Sequence, residues 1–277
     1  MQFQFAEIIG ARTRYLFGGE GPAVMLVHGV GMSADSWFWT VPALTRQFRV
    51  AAPDLLDNGF TEAGPYSGGP PQPLIVDHLL RLADHLKFER FSVVGSSLGA
   101  AIALLTYFKA PDRIDRMVLA GPAHLLNPPV EGSEAFEASY RNGRSALLNP
   151  TYESCRARMG RAFFDATRVP DVLVAMQMVM YAMPGALETF ERRMAGLRSP
   201  ASREFAVHDK LDRVAVPTLV LAGREDIRGP FTEVEKGALK IPNVRLLPYD
   251  HCGHWPHMEH PDVFNRDVSA FLSGPST

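Results

Sequence analysis

The feature that most constrains this chain is Gly95-Ser96-Ser97-Leu98-Gly99, set directly between a short apolar run at 91–94 and a stretch at 98–108 that is apolar on nearly all sides. A serine placed this way requires a strand, a sharp turn and then a helix. The turn strains the serine backbone, and the flanking glycines leave no side chains where strand and helix nearly touch. The Ser97 hydroxyl then projects above the end of a sheet, next to a helix N-terminus whose peptide dipoles favour negative charge. The bare Gly-x-Ser-x-Gly pattern is common; this context makes it specific and marks Ser97 as a candidate nucleophile.

Further apolar runs at 24–27 and 218–222 are continuous rather than alternating, and 50–52, 117–120 and 244–247 read as three more strands. Strands covered on both faces, as in parallel sheets, have this pattern. Helical periodicity lies between them, for example at 74–86. Residues 3–7 and 12–17 read as an antiparallel hairpin at one edge. The pattern predicts an α/β fold, a mostly parallel twisted sheet of about eight strands flanked by helices. The alternation stops between 123 and 212, where helical patterns occur and no strand is evident. The expected organisation is a core of residues 1–122 and 213–277 with a helical insertion, 123–212, over the carboxyl ends of the strands. Open α/β sheets bind ligands there. The insertion is rich in Met and Phe, among them Met159, Met178, Met194 and Phe136, which suits a packed interior or the adaptable roof of an apolar pocket.

Charge narrows the classes of partner. Lys and Arg number 28 against 30 Asp and Glu, so the 277-residue chain has no electrostatic footprint for nucleic acid or an acidic membrane surface. The longest apolar run, 100–108, is far short of the roughly 20 residues that span a bilayer. A small apolar molecule is the expected substrate; the oligomeric state is left open, a homodimer included. The two cysteines, Cys155 and Cys252, are too far apart in sequence for a disulfide framework or a four-cysteine zinc site. With no basic and apolar leader at the N-terminus, the expected compartment is the cytoplasm.

A serine hydroxyl needs a general base. Of the nine histidines, His254 in Cys252-Gly253-His254-Trp255 follows the run at 244–247 and so lies at the carboxyl end of a strand. Its neighbours His251, His257 and His260 recur every three residues. Pro256 and Pro261 break any continuous helix through them, and no His-Glu-x-x-His is present, so no metal or other cofactor is expected. Asp226, just after the run at 218–222, is the carboxylate expected to orient His254, with Glu225 as its neighbouring rival. His28-Gly29-Val30-Gly31 follows the run at 24–27. Glycine there lets backbone amides turn inward, so Val30 and Leu98 are the expected oxyanion donors and His28 a brace for the loop.

The order Ser97, Asp226, His254, with these turns, resembles the α/β-hydrolase family over nearly the whole chain, the insertion standing in the lid position. The segment from His251-Cys252-Gly253-His254-Trp255 through Glu259-His260 to Phe264-Asn265 is similar to the meta-cleavage-product hydrolases, which split a carbon–carbon bond in vinylogous 1,5-diketones from aromatic ring fission. This resemblance implies a pocket that includes Gly29, Ser96, Trp255 and Met178. Ser96 stands where that group usually has Asn, and the stretch from Met178 to Ala182 stands near where it has a lid arginine that grips the substrate carboxylate. Arg192 and Arg193 lie farther along. The implied activity is cofactor-free hydrolysis of an ester, a lactone or such a carbon–carbon bond. Hydrolase-fold ligand receptors and cofactor-free oxygenases or perhydrolases are the alternatives.

Overall fold

Two N-terminal strands, β1 (Gln2–Ile8) and β2 (Ala11–Gly18), form an antiparallel hairpin, and β2 continues the sheet antiparallel to β4 (Arg49–Pro53). The remaining strands, β3 (Ala23–Val27), β5 (Phe91–Ser96), β6 (Ile114–Ala120), β7 (Thr218–Gly223) and β8 (Val244–Tyr249), are parallel. The eight strands run in the order β1-β2-β4-β3-β5-β6-β7-β8. This computed structural model describes residues 1–64, 69–128 and 134–274, apart from the side chains of His124 and Ala135. Residues 129–133 of the expected insertion and the end of the expected core lie outside them.

The continuous apolar runs are strands because both faces of the sheet are covered. Every residue of β5 and of β7 is buried. On one face Met25, Val93, Leu119 and Val220 pack with residues of α2 (Gln72–His85), α3 (Leu98–Lys109) and α8 (Phe231–Ala238). On the other, Leu26, Val94, Val118 and Leu219 pack with α1 (Thr40–Leu44) and α10 (Pro261–Leu272). At roughly 25 cal/mol per Å2 of apolar surface removed from water, these two layers supply the main driving force for the fold.

Between β6 and β7 the described chain is helical: α4 (Ala135–Leu148), α5 (Tyr152–Gly160), α6 (Asp171–Tyr181) and α7 (Ala186–Arg198), with short 3-10 turns. These helices have an apolar interior of their own, which includes Met159, Phe163, Met180, Phe190 and Trp255. The strand order reverses at β3, which pairs with β4 on one side and β5 on the other. Such a switch point opens a crevice outside the carboxyl ends of the strands. The loop after β3 and the turn after β5 both enter it.

Candidate active site

Ser97 has φ 54° and ψ −121°, a conformation that typically costs a residue with a Cβ on the order of 1–3 kcal/mol. Tertiary packing holds it there. A Cβ on Gly95 would lie 2.1 Å from the Gly99 carbonyl oxygen, and one on Gly99 would lie 2.1 Å from that of Val27. No other residue fits either place, so β5, α3 and β3 approach one another through the two glycines. The Ser97 N–H donates to the Ala120 carbonyl at 3.0 Å, which ties the turn to β6. Leu98 follows as the first residue of α3, where a backbone N–H has no intrahelical partner.

The loop after β3 lies against this turn. A Cβ on Gly29 would lie 3.0 Å from Ser97 Cβ and 3.6 Å from its Oγ. His28 is buried; its Nε2 accepts the Leu55 N–H at 2.9 Å, which leaves Nδ1 to donate to the Gly29 carbonyl at 2.8 Å. Burial pushes His28 down to about 4, so the ring is neutral and acts as a strut. The helices of the insertion hold the other side of the loop. Arg158 donates to the Val30 carbonyl at 3.1 Å, and Gln177 and Tyr181 each donate to that of Gly31 at 3.2 Å.

Asp226 and His254 meet from the loops after β7 and β8. Asp226 Oδ2 lies 2.7 Å from His254 Nδ1, and Oδ1 accepts the Arg228 N–H at 2.8 Å. Burial raises the Asp226 carboxyl, but the adjoining His254 charge and the hydrogen bonds from His254 and Arg228 outweigh it and hold the group below its ordinary value. Glu225, the rival carboxylate, turns away and accepts the Cys252 N–H at 3.0 Å. The His254 loop is clamped by Glu259, which accepts the N–H groups of Gly253, Trp255 and, from the insertion, Phe164. The His254 N–H donates to the Ala162 carbonyl at 2.7 Å. His257 stacks on Trp37, and His260 reaches back to the His251 carbonyl. The histidines thus do not converge, and among the described residues no group of three or more His, Cys, Asp or Glu could hold a metal ion.

Ser97, Val30, Leu98 and His254 share the wall of one cavity of about 360 Å3. Its surface is mostly apolar, built from Leu105, Phe136, Met194 and Leu197 among others, and part of it comes from α4 and α7 of the insertion. A volume in this range suits a small organic molecule. Ser97 and His254 therefore share the wall of one cavity, and Asp226 is bonded to His254 behind it.

Four residues expected in the pocket do not line this cavity. Gly29 and Ser96 are buried against the Ser97 turn, Ser96 being 1% exposed. Trp255 is buried against Phe163, with the Arg228 guanidinium over its ring, one layer back from the space. Met178 packs into the interior of the insertion. That interior also takes Met159 and Met180, so of the methionines expected as roof only Met194 lines this cavity. Arg192 and Arg193 do not approach it either: both bond to Asp57, in the turn after β4. Sequence reasoning passed over Arg228, which does line the cavity, and named Glu259 without giving it a role. A charged residue two places beyond Asp226, in a loop at the carboxyl end of a strand, was the available signal for Arg228.

The family model of the α/β-hydrolase fold matches residues 22–261. The chain is 32% identical to a 2-hydroxymuconate semialdehyde hydrolase of Pseudomonas sp. (strain CF600), over 95% of this chain and 91% of the relative. It is 28% identical to a 2-hydroxy-6-oxononadienedioate/2-hydroxy-6-oxononatrienedioate hydrolase of Paraburkholderia xenovorans (strain LB400), over 95% and 91%. Among solved structures, a meta-cleavage product hydrolase from Pseudomonas fluorescens IP01 superposes with a TM-score of 0.83 at 29% identity, covering 97% of each chain.

Proposed function

The chain belongs to the α/β-hydrolase fold family, and from that premise we propose that it hydrolyses the carbon–carbon bond of a vinylogous 1,5-diketone acid of the kind formed by aromatic ring fission. Ser97 is the nucleophile, His254 the general base and acid, and Asp226 the carboxylate that orients the imidazole. The observation that carries this reading is the 2.7 Å bond between Asp226 and His254, which lines one cavity together with Ser97. Relatives named as hydrolases of 2-hydroxy-6-oxo dienoic acids support the choice of bond.

In the proposed sequence His254 first assists ketonisation of the substrate dienol: the hydroxyl loses its proton and a chain carbon gains one. His254 then takes the Ser97 proton as Oγ adds to the distal carbonyl. The amides of Val30 and Leu98 receive the oxyanion, each worth roughly 2.7–4 kcal/mol in the transition state. A trans peptide points its C=O and N–H in opposite directions. Because the Gly29 carbonyl is drawn toward His28, the Val30 N–H faces away from that strut. Collapse breaks the carbon–carbon bond, its electron pair passes into the conjugated ketone as a dienolate, and His254 returns the proton to that leaving carbon. Water, deprotonated by His254, then hydrolyses the acyl ester on Ser97 and frees a carboxylic acid. No cofactor enters. The insertion, 123–212, acts as a lid over the substrate, and the two free, buried cysteines suit the reducing cytoplasm.

The test is turnover of 2-hydroxy-6-oxohexa-2,4-dienoates, followed by loss of the conjugated chromophore, in the wild-type chain and in Ser97→Ala. Cleavage by the wild type with loss of more than about a thousandfold in the variant is expected. Wild-type activity confined to simple esters, or an active Ser97→Ala, would overturn it.

A further inference from the structure

The substrate proposed above carries a carboxylate into a mostly apolar cavity, and a charge moved out of water must be met by a partner. Two guanidinium groups reach the cavity wall, Arg198 and Arg228. Arg198 is ion-paired with Glu137 at 2.7 Å and lies across the ring of Tyr140, so it is committed to joining α4 to α7. Arg228 differs in place and setting. It follows Asp226 by two residues, lies over the ring of Trp255, and its Nη1 is 3.4 Å from Ser139 Oγ on α4. Both it and Ser139 line the cavity along with Ser97 and His254.

We propose that Arg228 is the anion-recognising residue of this cavity, the group through which a carboxylate-bearing substrate is bound in preference to its neutral analogue, with the Ser139 hydroxyl as a second donor. The inference rests on the hydrolase reading above and adds a specificity-determining residue to it. A planar guanidinium offers a carboxylate two parallel N–H donors, and such charge-assisted pairs gain strength where water is excluded. The electrostatics agree with the geometry. Burial and the nearby Arg158 guanidinium push Arg228 down to about 10, and attraction to Asp226 offsets them only in part. A bound anion would offset that desolvation of the guanidinium. Arg228 comes from the loop after β7 and not from the insertion.

Equilibrium binding tests this without turnover. Hexa-2,4-dienoate and hexa-2,4-dienamide, a matched acid and amide, are titrated calorimetrically into the wild type, Arg228→Met and Arg228→Lys. The wild type should bind the acid roughly 10- to 100-fold more tightly than the amide. Arg228→Met should bring the acid down to the affinity of the amide and leave the amide within about threefold. Arg228→Lys, whose ammonium cannot reproduce the two parallel donors, should lose most of the preference for the acid and leave the amide unchanged. Equal wild-type binding of acid and amide, or no binding of either at millimolar concentration, would overturn the proposal. So would an equal loss of both ligands in Arg228→Met, which would mark the residue as a support for Asp226 and Trp255. Should Arg228→Met fail to fold, the wild-type comparison and Arg228→Lys still decide. Failure of the hydrolase reading would show separately, as a wild type that prefers the acid but does not cleave dienoates.

Discussion

Asp226 Oδ2 lies 2.7 Å from His254 Nδ1, and the two side chains are 3% and 1% exposed. A carboxylate there accepts only, so it fixes the proton on Nδ1 and leaves Nε2 as the basic nitrogen. In Asp226→Asn the amide NH2 can face Nδ1, and the proton then moves to Nε2, where it blocks the base. The expected result is a fall in kcat of about 10^3–10^4, the size known for the same change in a serine protease, with little change in thermal stability. Steady-state kinetics and a melting curve on one preparation check both parts.

Gly29→Ala probes the fit between the loop after β3 and the turn that carries Ser97. The added methyl would sit 3.0 Å from Ser97 Cβ and 3.2 Å from the Ser96 carbonyl, and Ser97 cannot yield because its strained turn is held by β6 and α3. The loop must shift, and the Val30 amide with it. We expect kcat/KM to fall about 10- to 100-fold, since displacements of an ångström in a reacting site have effects of that size. Crystals of the variant would show the loop moved and the fold unchanged; unaltered kinetics would break the link between this loop and catalysis.

Glu259→Gln keeps the shape but replaces an acceptor-only carboxylate facing the N–H groups of Gly253, Trp255 and Phe164. One amide oxygen cannot serve all three, and the amide NH2 repels donors. The destabilisation should be on the order of 3 kcal/mol, since hydrogen bonds to charged groups contribute about 1.5–3 kcal/mol each. Urea denaturation measures it. Because these amides flank His254, kcat should fall as well.

Stability should fall as pH drops below about 6.5. Burial holds His28 and His78 at about 4 and His257 at about 3, the last also repelled by His254. Histidines of the unfolded chain bind protons from about 6.5 downward, so between these values the unfolded state holds the more protons and stability rises with pH. Asp54 has the opposite sign: burial lifts it to about 6, so its folded form binds a proton that the unfolded carboxylate releases. Burial also raises Asp57 and Glu259, in the same sense as Asp54. Asp35 and Asp226 are held low and act with the histidines at more acidic pH, so the three histidines set the sign of the loss. Calorimetric melting at pH 7.5, 6 and 5 follows it. His257→Leu, which keeps an apolar contact with Trp37 and Phe264, should make the slope shallower; a steeper slope would contradict this account.

The Ser97 turn and the sheet were legible in the order of residues because each admits few residue types. Gly95 is demanded by the Gly99 carbonyl within the turn and Gly99 by the end of β3, and strands such as β5 and β7, buried on both faces, must be continuously apolar. The chain order of the loops that carry Ser97, Asp226 and His254 was equally open to reading, since each follows a strand at its carboxyl end. The cavity was not. Helical periodicity tells which face of α4, α6 or α7 is buried but not what it is buried against, and that partner is chosen by packing between segments far apart in sequence. Trp255 and Met178 therefore went into the interior of the insertion, while Arg228, Phe136 and Met194 came to the wall. Likewise the choice between Asp226 and Glu225 turned on which side chain the loop after β7 aims at His254. Local sterics and burial act over a few residues and leave their mark in the sequence; the shape and charge of an enclosed space are sums over the whole fold and exist only once it has closed.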